Sequence, residues 1–373
     1  MFLVPNGLRS LPWKMLFIVL AIVILGLTTL YSAAGGSLSP WAANQGIRFI
    51  LLLGFMLMIS RLEIRTWMMW AYPFYGVSLA LLLVVELFGK VGMGAQRWID
   101  LGIIRLQPSE FMKIAVVLAL ARLYQKMPPM FINSPSGLLS AIGIVALPAG
   151  LVMLQPDLGT AMMISFTGVT MIFLAGAYMR WFVGAGLAIL AMLPVAWNML
   201  HDYQRNRVLV FLNPDSDPLG TGYHISQSKI AIGSGGLFGK GFLQGTQSHL
   251  EYLPETHTDF IFATMTEEWG VIGGLFTLLA YGYLVRWGNN IGRDAKPIFL
   301  RLTAFGLSFT LFLYVAINIG MVMGLLPVVG IPLPLMSYGG SAMMTVMLML
   351  AILMSIYRHE QAALPQGRFG GRS

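Results

Sequence analysis

The chain of 373 residues contains no cysteine, which excludes disulfides, thiolate metal sites and a cysteine nucleophile. Charge is also scarce. Asp, Glu, Lys and Arg make up 10% of the residues, against about 25% in soluble domains, so most of the chain is unsuited to water. Basic runs interleaved with aromatics are missing, which argues against nucleic acid as a partner. The formal charge of +8 suits a membrane protein with basic loops on one side. Internal repeats are missing too, as is the symmetric pair of broken helices found in many transporters.

What remains is mostly apolar: 57% of the residues are hydrophobic. Because about 20 such residues cross a bilayer core, the runs predict ten helices. They fall near 15–33, 43–60, 66–87, 109–124, 137–155, 159–178, 181–199, 260–285, 302–325 and 336–357. The expected fold is all-α, a polytopic membrane helical bundle forming a single integral domain over 1–373. The apolar run from Met15 to Tyr31 is longer than a signal-peptide core and is read as a retained first helix. Residues 200–258 are expected to form one large extracytoplasmic loop between helices 7 and 8. A short interfacial helix is expected there around Ser226–Ile232, centred on Lys229.

Ten spans put both termini on one side, and that side collects fourteen of the 23 Lys and Arg residues. By the positive-inside rule it is cytoplasmic. Twelve of the fifteen Asp and Glu residues fall outside it, a skew that points to function on the outer face.

Four places carry candidate chemistry. Glu110 and Lys113 are three apart on one helix face, where a pair costs less in lipid than two lone charges. They are either a structural pair or a cationic contact for an anionic ligand. Asp157 precedes Leu158-Gly159-Thr160 at a helix start, where capping explains it as well as catalysis does, and it is taken as a support residue. The stretch Gly233 to Gly241 invites a phosphate-loop reading but fails the required spacing, leaving either flexible packing at the membrane surface or a glycine-rich turn that lets backbone approach a pyrophosphate. Asp259, after His257 and Thr258, opens an apolar helix; it either complements the helix dipole or acts as a general base at the boundary of water and membrane. Among His201, His224, His249 and His257 no pair has a zinc-ligand spacing, so no metal site is expected.

The stretches Gly94 to Asp100, Leu106 to Lys113, Gln155 to Thr160, His201 to Arg207, Asp215 to Gly241, Leu253 to Ala263 and Gly324 to Ser341 together resemble the SEDS family of bacterial peptidoglycan polymerases. Leu326 to Pro332 and Ser226 to Lys229 resemble its elongation branch more than its division branch. The resemblance implies a ten-helix enzyme of the bacterial inner membrane that joins lipid II units, with the growing glycan as donor. It implies Asp259 as the catalytic aspartate, and Lys113, Glu110, Arg97, Arg207 and Lys240 as substrate-binding residues. Asp157, His257 and Ser337 would support them. It implies no cofactor, leaving a divalent cation open. The implied partners are lipid II, lipid-linked glycan, a class B penicillin-binding protein, other elongation-machinery membrane proteins and membrane lipids. A precursor flippase using buried Glu110, Lys113, Glu267 and Glu268, or a scaffold for the machinery, are the competing readings.

Overall fold

A computed structural model describes residues 11–88, 90–92, 95–100, 105–199, 205, 209–211, 213, 220–250, 252 and 255–363. Ten long helices are present among them, one for each predicted run. They are α1 (Trp13–Ala33), α2 (Ala42–Ile59), α3 (Ile64–Phe88), α4 (Pro108–Lys126), α5 (Pro135–Leu154), α6 (Leu158–Leu174) and α7 (Met179–Met199). After two shorter helices, α8 (Thr221–Ser234) and α9 (Thr246–His249), come α10 (Ile261–Asp294), α11 (Ile298–Val322) and α12 (Gly340–Ala363). Seven of the ten are long and apolar enough to cross a membrane, while α6 and most of α7 form shorter apolar helices. The remaining one, α4, carries Glu110, Lys113, Arg122 and Lys126.

Burial explains how α4 tolerates that charge. Its residues from Pro108 to Ala121 are almost all buried, because α3, α11 and α6 surround it. Helices α11 and α12 share this centre, with 78% and 72% of their apolar windows buried. By contrast α7 presents nearly every described side chain outward. Small residues allow the closest crossings: a Cβ on Gly288 of α10 would meet Ser308 Oγ of α11 at 2.1 Å, and one on Gly306 would meet Val117 of α4 at 2.8 Å.

Two helix starts follow from local chemistry. Ser134 caps α5 by accepting from the Gly137 N–H at 3.1 Å, with Pro135 at the first helical position. Asp157 caps α6 by accepting from the Thr160 N–H at 3.2 Å. Side-chain caps of this kind are worth about 1 kcal/mol each.

The structure differs from the expected pattern in four places. Between α3 and α4 lies a small antiparallel ribbon of β1 (Lys90–Gly92), β2 (Ala95–Asp100) and β3 (Arg105–Leu106), in that order. The last long helix begins at Gly340 rather than 336, because residues 333–339 are tied to another loop and Leu335 takes a positive φ of 66°. The predicted helix 260–285 continues to Asp294, 34 residues in all, through a break at Gly270. In the 200–258 segment, α8 covers 221–234, wider than the Ser226–Ile232 expected.

Candidate active site

Asp259 lies in the turn leading into α10, one residue before its N-cap Phe260. The turn is fastened on both sides. The Asn318 side-chain amide of α11 donates to the Asp259 carbonyl at 2.8 Å and to the Ile331 carbonyl at 2.7 Å. Ser337 donates its hydroxyl to the Thr258 carbonyl at 2.6 Å and accepts from the Leu333 N–H at 2.8 Å. The Tyr338 N–H donates to the His257 carbonyl at 2.8 Å. This is why 333–339 does not continue α12: its polar groups are committed to the Asp259 turn. At Gly330, with φ of 72°, an added Cβ would stand 3.4 Å from Asp259 Oδ2. The carboxylate thus lies over bare backbone and is partly exposed.

An aromatic wall flanks the turn. Trp41 stacks on the His257 ring with centroids 4.2 Å apart and planes within 7°, and Tyr338 lies 6.2 Å from the same ring. Burial lowers the His257 pKa below its ordinary value, opposed by the Glu255 carboxylate nearby. The Arg48 guanidinium sits 4.8 Å over the Tyr338 ring, placing a cation at the Asp259 end of the bundle. Gln45, one turn earlier on α2, donates to the Ser337 carbonyl at 2.7 Å.

A second cluster sits deeper. Lys113 Nζ is 2.7 Å from Glu110 Oε1, with both side chains nearly sealed at 1% and 5% exposure. The ammonium also lies 4.1 Å from the Tyr314 ring centre and 3.9 Å from the Met163 sulfur, while the Tyr314 hydroxyl donates to Glu110 Oε2. Gln107, the N-cap of α4, donates to Asp157 Oδ2 at 3.3 Å. A Cβ on Gly159 would meet the Val329 carbonyl at 3.0 Å, so the start of α6 abuts the strand of chain beneath Asp259. Tyr314 and Asn318 are one turn apart on α11, and through them one helix holds both clusters.

Lys240 is placed elsewhere. Its Nζ lies 2.6 Å from Glu267 Oε1 and 2.8 Å from Thr246 Oγ1. Glu267 is two turns into α10, about 12 Å along the axis from Asp259. The glycine-rich stretch is likewise explained by packing. Lys240 and Gly241 donate backbone N–H groups to the carbonyls of Glu267 and Glu268, while Val271 and Ile272 donate to the carbonyls of Gly236 and Leu237. These bonds take up groups that the break at Gly270, φ 65° and ψ −163°, would leave unpaired in the membrane. Glu268 accepts from Ser32 of α1.

The structure therefore brings Asp259, His257 and Ser337 together, and joins Asp157 with Glu110 and Lys113 beside them. Lys240 belongs to the α10 break. Arg97 lies on β2 with its side chain outside the described residues, and Arg207 lies outside them altogether. Asn318, Tyr314, Gln107, Gln45 and Arg48 went unmarked as site residues in the sequence. Asn318 had a signal: a lone amide in an apolar helix calls for a buried partner. Among the described residues no group of three or more His, Asp or Glu could hold a metal ion.

The family model described as cell cycle protein, covering FtsW, RodA and SpoVE, matches residues 12–362. The chain belongs to the SEDS family. Its relatives include the peptidoglycan glycosyltransferase MrdB of Escherichia coli K12, 46% identical over 93% of both chains. Among solved structures, the chain is similar to a component of a peptidoglycan synthase complex that coordinates polymerization and crosslinking. The identity is 33%, the TM-score is 0.81, and the match covers 93% of this chain and 98% of that one. The rod shape determining protein RodA of Thermus thermophilus is 30% identical with a TM-score of 0.71, over 93% of this chain and 97% of its own. This SEDS member is an integral membrane glycosyltransferase.

Proposed function

We propose that the chain polymerises lipid II into peptidoglycan strands during cell elongation, with Asp259 as the general base. One observation carries the assignment of the base. Asp259 is a partly exposed carboxylate at one end of the bundle, in a turn fastened by Asn318, Ser337 and Tyr338. A base must be positioned before its proton affinity matters.

In the reaction, the 4-hydroxyl oxygen of incoming lipid II attacks the anomeric carbon at the reducing end of the growing glycan. The hydroxyl proton passes to Asp259 as the new C–O bond forms, and the bond to undecaprenyl pyrophosphate breaks with its electron pair on the leaving oxygen. One base with cationic stabilisation of the leaving group gives inversion, without the second carboxylate of an inverting hydrolase. Arg97, Arg207, Lys113 and Lys240 are the proposed cations, with Glu110 orienting Lys113. Lys113 and Lys240 already hold carboxylates, so each would contact phosphate by exchanging or sharing that partner. Arg48, over the Tyr338 ring, adds a cation at the same end of the bundle. Asp157, His257 and Ser337 support the site by capping, stacking and fastening.

The Asp259 end of the bundle faces the periplasm in this reading, and both termini lie in the cytoplasm of a bacterial inner membrane protein. The similarity to a complex coordinating polymerization with crosslinking supports a class B penicillin-binding protein as partner. The test is glycan formation from lipid II by the purified chain with any transpeptidase blocked. Polymer supports an enzyme; transfer of lipid II across vesicles without polymer would favour a flippase, and neither activity a scaffold.

A further inference from the structure

The end of the bundle opposite Asp259 holds a separate cluster of charge. There the turn between α2 and α3 meets the last turns of α12 around a pocket of about 430 Å³. Arg61 from the turn, Arg65 from the start of α3 and Arg358 from α12 all line it. Glu63 is the one carboxylate in the lining among the described residues, and none of the three arginines has a carboxylate within ion-pairing distance among them. Arg61 and Arg358 are close enough for their like charges to oppose each other. Arg65 stands in the first turn of α3, where the helix dipole disfavours a cation, so helix stability does not explain its place. The walls are fastened without these charges. The Ser355 hydroxyl of α12 donates to the Leu62 carbonyl at 2.7 Å and accepts from Trp67 Nε1 of α3 at 3.2 Å.

Three arginines drawn from separate elements into one fastened pocket, with a single carboxylate among them, form a site for an anion. We propose that this pocket binds the phosphate of an anionic phospholipid headgroup in the cytoplasmic leaflet, between Arg61 and Arg358. The leaflet rests on the orientation proposed above. Arginine suits the role, since its planar fork engages phosphate oxygens in pairs. The depth of the pocket favours a headgroup over a free phosphate. Arg61 comes two residues after the end of α2 at Ile59, and Arg358 two residues after the buried Ile356. The arginines are thus level with the ends of the apolar segments, where headgroups concentrate and basic side chains meet them. The lipid-linked substrate is the wrong occupant, because it reacts at the other end of the bundle. Arg358 is 18 residues beyond Gly340 along α12, about 27 Å, and Gly340 follows closely on the Tyr338 that is bonded to the Asp259 turn.

The experiment is native mass spectrometry of the purified full chain, titrated with phosphatidylglycerol, with phosphatidylcholine of the same acyl chains, or with inorganic phosphate alone. No lipid-linked substrate is present, so the result is independent of whether the chain polymerises glycan. Wild type should hold phosphatidylglycerol preferentially, and Arg61→Gln with Arg358→Gln should lower that occupancy by about tenfold while leaving phosphatidylcholine unchanged. Arg180→Gln with Lys296→Gln removes the same charge from two other exposed positions assigned to the same side, and should leave phosphatidylglycerol bound. Glu63→Gln supplies a variant with the opposite sign. Its exposed carboxylate lines the pocket and repels the phosphate, so its removal should raise phosphatidylglycerol occupancy. Unchanged occupancy in the Arg61 and Arg358 variant, or in Glu63→Gln, overturns the proposal. So does an equal loss in the Arg180 and Lys296 variant, since general surface charge would then hold the lipid. An arginine-dependent adduct of inorganic phosphate without preference for phosphatidylglycerol would overturn the lipid as occupant.

Discussion

Lys113 is the residue for which burial and function make different demands, and a double-mutant cycle separates them. Its ammonium, 1% exposed, holds Glu110 at 2.7 Å and has only the Tyr314 ring and the Met163 sulfur as other neighbours described. Lys113→Met therefore leaves the Glu110 carboxylate buried with the Tyr314 hydroxyl as its remaining donor. Removing one partner of a buried pair costs about 3–5 kcal/mol, whereas replacing both by groups of similar shape is often close to neutral. The single variant should be destabilised by that amount, and Glu110→Gln with Lys113→Met should recover all but about 1 kcal/mol. Stability is read by reversible unfolding in a fixed detergent, and activity by glycan formation at matched monodispersity. If Lys113 also contacts phosphate, the double variant will be stable and still inactive. A double variant as unstable as the single one refutes the burial argument; a stable and fully active one refutes the substrate contact.

Gly270→Ala should destabilise the fold by 3 kcal/mol or more, on the order of the cost of backbone strain plus a steric clash, because its Cβ would meet the Gly239 nitrogen at 2.4 Å; reversible unfolding checks it. Stability should fall as pH drops below about 6.5, since the unfolded chain then takes up a proton at His257 that the folded chain resists. Unfolding midpoints of wild type and His257→Gln between pH 7.5 and 5.5 should show a shallower slope in the variant. In intact cells Ser37→Cys should react with an impermeant maleimide, and Lys296→Cys only after permeabilisation; the reverse pattern would invert the orientation.

The helices were legible because lipid imposes one simple rule: about 20 apolar residues per span. Even α4, with its four charges, follows that rule as a helix, but its central position is not written in its own sequence. That position comes from the neighbours that bury it. The ribbon at 90–106 was missed because strands of three, six and two residues have too little length for alternation to register. Asp259 stood out as a carboxylate at the mouth of an apolar helix, and Glu110 with Lys113 by their spacing. What fastens them is distributed across distant sequence: Asn318, Gln45 and Tyr338 reach the Asp259 turn only once α2, α10, α11 and the loop before α12 have met. Lys240 shows the converse. It looked like a free cation in a glycine-rich loop, yet that loop's backbone is needed to close the break at Gly270, and the lysine goes with it to Glu267.

The central claim is that Asp259 accepts the proton during glycan transfer. Asp259→Asn preserves size and leaves the backbone carbonyl that Asn318 holds, but its side chain cannot act as a base. Glycan formation from lipid II is measured for purified wild type and Asp259→Asn at equal concentration, with crosslinking blocked and unfolding midpoints matched. The account predicts a fall of about 10² or more. Polymer made by the variant at more than a tenth of the wild-type rate contradicts it.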